Sequence, residues 1–292
     1  MAALRFVVLD VFTDVPFAGN QLAVVLDGDH LADDHRQAVA REFGFSETTF
    51  TGPPSHPTAG DARVRIHTPL VEVPFAGHPT LGTAVALGLE RGLPGGAVVT
   101  LELGVGGVPV ELDEDGGGGW MRQPTPTVAP WDGDADALLA ALGVTDADLV
   151  APLTTYDNGV RHVFALVGDA ALVAAATPDP AALAAAAPAT GVNLCAATGP
   201  SSPSTTTAVT RMFHPSAGVV EDPATGSAAG PLGAHLLRHG LLPPASELVV
   251  SQGAELGRPS VLRVRVDGVG DRVAGIFVGG RAVLVARGEL LV

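Results

Sequence analysis

The chain has 292 residues, 47% of them hydrophobic, so it can bury one large core or two medium-sized ones without a stabilising disulfide or metal ion. Its formal net charge is −15 and all sixteen basic residues are arginine. This composition disfavours binding to nucleic acid or acidic membranes, and it excludes a lysine Schiff base with pyridoxal phosphate and a P-loop. The single cysteine, Cys195, excludes an internal disulfide, and without a signal-peptide pattern it predicts a cytoplasmic protein.

Short β-type runs alternate with helical patterns along the chain, which predicts a mixed α+β fold. The predicted strands are 6–12, 22–26, 63–67, 98–103, 108–112, 163–167, 261–266 and 282–286. The predicted helices are 32–43, 80–91, 134–142, 169–175, 180–187 and 227–239. The glycine run 116–119 and the proline-rich segment 123–130 predict a surface turn and a crossover. We therefore predict domains of 1–123 and 124–277, with a last strand, 278–292, completing the first domain.

An internal repeat indicates that the two domains are homologous. Residues 77–84 align with 221–228 on the pattern His/Asp-Pro-x-x-Gly-Thr/Ser-Ala. A weaker match pairs 20–26 with 161–167 at a similar offset, although chance similarity in an alanine- and glycine-rich chain is the alternative. In this alignment His78 corresponds to Asp222, and Gly82 corresponds to Gly226.

Each copy of the repeated motif is interpreted as a strand-to-helix turn, with Gly82 and Gly226 at the helix starts. Unpaired backbone N–H groups and the helix dipole make such a start an anion-binding site. If the halves are related by a pseudo-twofold axis, His78 and Asp222 would face each other across a cleft. The alternative is that Thr83 and Ser227 only cap their helices and the glycines only relieve crowding.

Glu47 lies between the aromatic residues Phe45 and Phe50, at the entry to a predicted strand. Glutamate is depleted in strands, and an apolar setting raises a carboxyl pKa toward the value that suits a general base. Glu47 is therefore a candidate proton-transfer residue, although a solvated residue at the end of a strand is the alternative.

From end to end, the sequence resembles the PhzF phenazine-biosynthesis family, which shares the diaminopimelate epimerase fold. The ordered set of motifs that carries the resemblance is 11–13 (VFT), 19–20 (GN), 46–50 (SETTF), 75–84 (FAGHPTLGTA), 221–229 (EDPATGSAA), 252–253 (QG), 257–260 (GRPS) and 278–280 (VGG).

The resemblance implies two pseudo-symmetric domains, each a β-barrel-like sheet around a central helix, with the active site in the cleft between them. It also implies a homodimer that needs no metal or cofactor and isomerises a small carboxylate-bearing substrate by moving a proton between ring carbons. By similarity, Glu47 removes and returns the proton, while His78 and Asp222 assist positioning or protonation. The expected substrate-binding residues are Asn20, Gly77, Gly226 and Ser227.

One feature of the related epimerases is missing here. Those enzymes use two cysteines as opposed bases, but neither repeated motif contains one, and Cys195 is expected to be a small buried hydrophobe. Gln21 also departs from the family pattern, which usually has proline after Gly-Asn. The alternatives to a dihydro-hydroxyanthranilate isomerase are a related enzyme for another small metabolite and a non-catalytic module that binds a small molecule or a partner protein.

Overall fold

The computed structural model describes residues 3–202 and 204–292. The chain divides into two compact units. Unit 1 comprises the chain up to Arg122 together with Gly279–Val292, and unit 2 comprises Gln123–Val278. Across the described residues, no helix is both long enough and apolar enough to cross a membrane.

Strands outnumber helices in both units. The elements of the first part of the chain are β1 (Ala3–Val11), β2 (Asn20–Val25), α1 (Asp33–Phe43), β3 (Glu47–Gly52), β4 (Ala62–His67), β5 (Glu72–Val73), α2 (Gly77–Arg91), β6 (Val98–Leu103), β7 (Gly106–Leu112) and β8 (Gly118–Gln123). The remaining elements are β9 (Thr127–Pro130), α3 (Ala135–Leu142), β10 (Thr154–Asp157), β11 (Arg161–Leu166), α4 (Ala170–Ala175), α5 (Pro180–Ala186), β12 (Gly191–Ser202), β13 (Thr205–His214), β14 (Val219–Asp222), α6 (Gly226–Arg238), β15 (Glu247–Gln252), β16 (Ser260–Val269) and β17 (Arg272–Leu291).

The sheet of unit 1 is a closed barrel. Strand β2 pairs antiparallel with β1 and parallel with β3, and β4 pairs antiparallel with β3 and parallel with β6. Strands β6, β7 and β8 form an antiparallel meander. The last strand of the chain, β17, pairs with β8 and runs antiparallel to β1. Eight strands therefore close on themselves, which leaves no open sheet edge in this ring.

Helix α2 fills the barrel of unit 1. Its first twelve residues, 77–88, are all buried, and it packs against β1, β2, β3, β6 and β7. Gly82 lies inside this helix, so the predicted helix start at Gly82 is wrong. A Cβ atom at Gly82 would lie 2.6 Å from Leu22 Cδ2 and 2.7 Å from Val11 Cγ2, so this glycine permits close packing of helix on strand.

Unit 2 repeats the chain order of unit 1. Strands β10 to β16 pair in the same sequence of antiparallel and parallel contacts as β1 to β7, and α6 occupies the position in the order that α2 has in unit 1. Residues 226–237 of α6 are all buried. The predicted α+β fold, with two pseudo-symmetric domains each built around a central helix, is confirmed.

The register of the repeat differs from the one predicted. Both helices follow a short strand and a proline, with the helix beginning at Gly77 in unit 1 and at Gly226 in unit 2. Gly226 therefore corresponds to Gly77 rather than to Gly82, a shift of five residues. The sequence alignment matched two similar prolines, whereas the structure matches the points where the backbone turns from strand to helix.

The glycine- and proline-rich crossover is also more regular than predicted. Gly118 and Gly119 belong to β8, and 127–130 form β9, which pairs with β10. Only Gly116, with φ of 70°, retains the turn conformation that the glycine run predicts.

Candidate active site

Three polar side chains of unit 1 meet at the amino-terminal end of α2. Glu47 is the first residue of β3 and pairs with Leu22 in the parallel ladder, and Asn20 begins β2 two residues before Leu22. His78 is the second residue of α2. His78 Nδ1 lies 3.6 Å from Glu47 Oε2 and 3.2 Å from Asn20 Nδ2. The structure thus brings together three residues that the sequence singled out.

The backbone before Asn20 requires a glycine. Gly19 has φ of 65°, and a Cβ atom there would lie 2.5 Å from both the Thr13 side chain and the carbonyl oxygen of Val11. A larger residue at this position would displace the turn that leads into β2. The Gly-Asn motif therefore has a physical basis: the glycine makes the turn that sets Asn20 beside His78.

His78 is a neutral group at ordinary pH. Its side chain is 3% exposed, and burial lowers its pKa to about 3, although a hydrogen bond with the backbone of Gln21 opposes this shift. The contact between His78 and Glu47 therefore joins a carboxyl group to an uncharged imidazole. The Glu47 side chain is 16% exposed, so it is accessible enough to exchange a proton with a bound molecule.

A second group of polar side chains lies at the amino-terminal end of α6 in unit 2. Ser227 is the second residue of α6, and its Oγ lies 3.0 Å from His162 Nε2. On the other side of the ring, Asn193 Nδ2 lies 3.5 Å from His162 Nδ1. All three residues are buried, and burial, with a smaller contribution from His214, lowers the pKa of His162 to about 3.

The two groups occupy equivalent positions in the repeat. Asn193 pairs with Phe164 across the parallel ladder, as Glu47 pairs with Leu22, and His162 precedes Phe164 by two residues, as Asn20 precedes Leu22. Asn193 therefore corresponds to Glu47.

The helix residues complete this correspondence. Ser227 and His78 are both second in their helices, whereas Asp222 lies four residues before the start of α6, at the position of Val73 before α2. The expected correspondence of His78 with Asp222 is therefore wrong.

Asp222 ends β14 and is 5% exposed. Its Oδ2 accepts a hydrogen bond of 2.6 Å from the Thr225 hydroxyl, and its backbone oxygen accepts one of 2.8 Å from the Gln252 amide. The same amide group also accepts from the backbone N–H of Thr225 at 3.1 Å. Gln252 thus fixes the turn from β14 into α6, and with it the position of the Asp222 carboxylate.

The first turn of α6 is supported by side-chain amides. Pro231 lies inside the helix and has no N–H group, so it cannot bond the carbonyl of Ser227 four residues earlier. The Asn158 amide donates to that carbonyl at 2.9 Å. The Gln123 amide donates to the carbonyl of Gly226 at 2.6 Å.

The alternative that Thr83 and Ser227 only cap their helices is not supported. The N-cap residues are Ala76 and Thr225, and neither makes a side-chain capping bond. Thr83 lies within α2, where its hydroxyl is 2.9 Å from that of Thr49.

Three residues of unit 2 were not predicted from the sequence, namely Asn158, His162 and Asn193, and Gln252 entered only as part of the family motif 252–253. A single histidine or asparagine in an apolar strand carries no signal of its own. The signal available was the repeat: aligning Asn20 with His162 instead of Arg161 would have placed His162 beside the helix start.

Cys195 takes no part in either group. It is fully buried in β12, its thiol lies 3.7 Å from the carbonyl oxygen of Ala165, and burial raises the pKa of that thiol. The prediction that Cys195 is a small buried hydrophobe is confirmed.

A family model described as "Phenazine biosynthesis-like protein" (PhzC-PhzF) matches residues 9–288 of the chain. The protein therefore belongs to this family, as its motifs, its duplicated barrels and its paired polar groups indicate. Similar relatives with assigned names are isomerases, and the protein is accordingly a PhzF-like isomerase.

Three similar relatives carry the same specific name. The chain is 43% identical to trans-2,3-dihydro-3-hydroxyanthranilate isomerase from Pseudomonas aeruginosa, with 98% of each chain covered. It is 40% identical to the enzyme of that name from Pseudomonas chlororaphis, covering 98% of this chain and 99% of the relative.

Solved structures agree with the assignment of the chain to this family and with its fold. A PhzF-family protein from Bacillus anthracis matches with a TM-score of 0.83 and 29% identity, covering 100% of both chains. A hydroxyproline epimerase from Agrobacterium vitis matches with a TM-score of 0.66 at 16% identity, covering 99% of this chain and 91% of the other, which shows a shared fold.

Proposed function

We propose that the protein isomerises trans-2,3-dihydro-3-hydroxyanthranilate, or a closely related small cyclic carboxylate, and that Glu47 carries the proton. The observation that carries this proposal is the 3.6 Å approach of Glu47 Oε2 to the neutral ring of His78 at the start of α2. The identity of 39–43% to three enzymes named for this substrate supports the choice.

In the proposed reaction, the Glu47 carboxylate removes a proton from one ring carbon. The electron pair of the broken C–H bond spreads through the conjugated system of the substrate. Glu47, now a carboxylic acid, returns the same proton to another ring carbon, and the carboxylate is restored. Protons and electrons therefore balance within the substrate and Glu47, and the step needs no oxidant or second reactant.

The neighbours of Glu47 suit a proton carrier. Because His78 is neutral, it does not hold Glu47 in a permanent ion pair, so the carboxyl group is able to cycle between its charged and uncharged forms. Asn20 fixes the His78 ring through the 3.2 Å contact with Nδ1. We assign His78 and Asn20 to orienting Glu47 and the substrate.

The helix starts supply groups for the charged parts of the substrate. The first N–H groups of a helix have no partner within it, and small residues leave them accessible. We propose that Gly77, Gly226 and Ser227 bind polar substrate atoms and that Asp222, held by Thr225 and Gln252, assists positioning or protonation.

The direct test is proton NMR in deuterated water with trans-2,3-dihydro-3-hydroxyanthranilate. We expect isomerisation by the wild type, and Glu47→Gln should lower kcat by about 10²–10⁴-fold because the amide cannot accept the proton. Glu42→Gln, five residues earlier and exposed on α1, is the matched control and should keep wild-type turnover.

Other outcomes would redirect the proposal. Near wild-type turnover by Glu47→Gln would refute Glu47 as the base. Deuterium uptake into a different carboxylate from a panel of small cyclic and amino-acid-derived acids would retain the mechanism and change the substrate. Binding without any exchange would favour a non-catalytic module.

We also propose that the protein is a homodimer, as its resemblance to the PhzF family implies, and that it is cytoplasmic, as its single cysteine suggests. Light scattering on the purified chain tests the dimer directly: the expected mass is twice the 29.4 kDa of one chain. A mass equal to one chain would contradict it.

A further inference from the structure

We propose that His162 is a positioning residue that donates its Nε2–H to Ser227 Oγ, so that the Ser227 hydroxyl hydrogen is directed to an anionic oxygen of the substrate. The inference rests on the proposed function for the identity of the substrate. Its structural part, the protonation pattern of the Asn193, His162 and Ser227 group, stands on the geometry of unit 2.

The orientation of the Asn193 amide is fixed by its backbone neighbours. Its Nδ2 lies 3.1 Å from the carbonyl oxygen of Val163 and 3.4 Å from that of Gly191. Carbonyl oxygens only accept hydrogen bonds, so the amide nitrogen, and not the amide oxygen, must face them. The atom that approaches His162 Nδ1 at 3.5 Å is therefore the amide nitrogen, a donor-type atom that cannot accept a proton from the ring.

This orientation determines the tautomer of His162. A ring nitrogen that faces a donor must be unprotonated, because two facing donors would repel each other in a buried site. His162 is 1% exposed and neutral, so its one ring proton resides on the other nitrogen, Nε2. Nε2 lies 3.0 Å from Ser227 Oγ, and it donates to that oxygen.

The state of Ser227 follows from the tautomer. Its oxygen already accepts the proton of Nε2, so its own hydrogen points to another acceptor. Ser227 is also the second residue of α6, where backbone N–H groups and the positive end of the helix dipole favour negative charge. The Ser227 hydroxyl and the backbone N–H groups thus act as hydrogen-bond donors, and the helix dipole adds a positive potential. This combination suits the carboxylate of a small substrate.

The opposite arrangement is the one used by serine hydrolases, in which the histidine accepts the serine proton and creates a nucleophile. Here it would require a proton on Nδ1, directly against the amide nitrogen of Asn193, which cannot accept it. Rotating the Asn193 amide to avoid this clash would place its oxygen against two carbonyl oxygens. The geometry therefore favours a fixed donor over a nucleophile at Ser227.

The comparison with unit 1 supports a division of roles. At the positions of Asn193, His162 and Ser227, unit 1 has Glu47, Asn20 and His78. One copy of the repeat thus presents a carboxylate able to move a proton. The other copy presents the neutral side chains of Asn193, His162 and Ser227.

The tautomer is tested on the wild-type protein by long-range ¹H–¹⁵N correlation NMR of the histidine rings, with His162 assigned from the missing signal of a variant. We expect Nε2 protonated and Nδ1 unprotonated. A protonated Nδ1 would overturn the inference whatever the substrate proves to be.

The positioning role is tested with a matched pair of variants. His162→Gln keeps an N–H donor near the place of Nε2, whereas His162→Leu removes it. We expect His162→Leu to raise KM about tenfold to a hundredfold, the cost of weakening one hydrogen bond to a charged group, with a smaller change in kcat. His162→Gln should restore most of the affinity.

Ser227→Ala should raise KM as much as His162→Leu does. The double variant should raise KM little further, because both changes remove the same donor. The aromatic analogue 3-hydroxyanthranilate, titrated by calorimetry, gives the same comparison without turnover. Wild-type affinity in His162→Leu, or covalent labelling of Ser227 by a fluorophosphonate, would refute the role. If Glu47→Gln loses turnover while His162→Leu and Ser227→Ala bind the analogue with wild-type affinity, the proposed function stands and only this inference is refuted.

Discussion

Three buried histidines have pKa values far below the ordinary value of a histidine side chain. His78, His162 and His235 are all buried, and burial lowers the pKa of each to about 3. His235 also receives a smaller lowering contribution from His239 and lies 3.2 Å from the hydroxyl of Tyr156. All three rings are therefore neutral near pH 7.

These histidines should make the protein sensitive to acid. Their folded pKa values lie below the unfolded value of about 6.5, so the unfolded chain binds more protons between about pH 3 and pH 6.5. Stability is retained above pH 6.5 and falls as the pH drops through this window, by about 1.4 kcal/mol per pH unit for each histidine. Urea unfolding measured at intervals from pH 7.5 to 4.5 checks this.

A pair of variants isolates one contribution. His235→Gln should reduce the slope of unfolding free energy against pH by about 1.4 kcal/mol per pH unit, because one proton-binding site of the unfolded chain is removed. His56→Gln, at an exposed position, should leave the slope nearly unchanged. Equal slopes in both variants would show that His235 is not held neutral by folding.

At the scale of an element, helix α6 depends on side chains from outside the helix. Pro231 removes the main-chain donor for the carbonyl of Ser227, and Asn158 provides a replacement at 2.9 Å. The amides of Gln123 and Gln252 bond the residues on either side of the helix start. The end of the helix that carries Ser227 is therefore fixed by three amide side chains.

The Asn158 contact should be coupled to Pro231. Asn158→Ala should destabilise the protein by about 1–3 kcal/mol, because it leaves a buried carbonyl oxygen without a partner. In a Pro231→Ala background the new N–H group can bond the Ser227 carbonyl, so the same change should cost less than half as much. A double-mutant cycle by urea unfolding measures this, and strictly additive effects would contradict the exchange of donors.

The elements also show what the sequence could predict. Strands such as β6 and helices such as α2 were predicted because their apolar residues recur with the period of a strand or a helix. Strand β8 was not, because Gly118 and Gly119 are typical of turns, and β13 was not, because threonines in 205–210 obscure the alternation. Tertiary pairing determined these strands.

The residues of the candidate site also divide into those that the sequence predicted and those that it did not. Glu47, Asn20 and His78 lie in motifs, and the structure places them together. His162 and Asn193 come together with Ser227 only through the pairing of β11 with β12 and the packing of α6, which a single sequence does not encode locally. The five-residue error in the repeat had the same origin, since the prolines resemble each other more than the helix starts do.

At the scale of the whole molecule, the two units differ in how the chain builds them. Unit 2 is one continuous segment, 123–278, whereas unit 1 joins both ends of the chain through the β1–β17 ladder, in which Ala3 is paired with Leu291 and Val11 with Ala282. The barrel of unit 1 is therefore closed by its most distant residues.

Breaking this ladder should affect the units unequally. Val283 pairs with Asp10, next to the last pair of the ladder, and Val283→Pro removes an N–H donor there. We expect amide hydrogen exchange in β1 and β2 to become about tenfold faster or more, with β11 to β13 much less affected. Equal acceleration in both sets of strands, measured by mass spectrometry, would show that the units unfold as one.

The long separation of β1 from its partner has a consequence for synthesis on the ribosome. Strand β1 is made first, but β17, which lies beside it in the barrel, is made last. The segment 123–278 leaves the ribosome with all its own strands before the first barrel can close. Domains of nascent chains usually fold in order from the amino terminus, but here the second unit should fold first, while the first, exposed to chaperones, waits until β17 has been made.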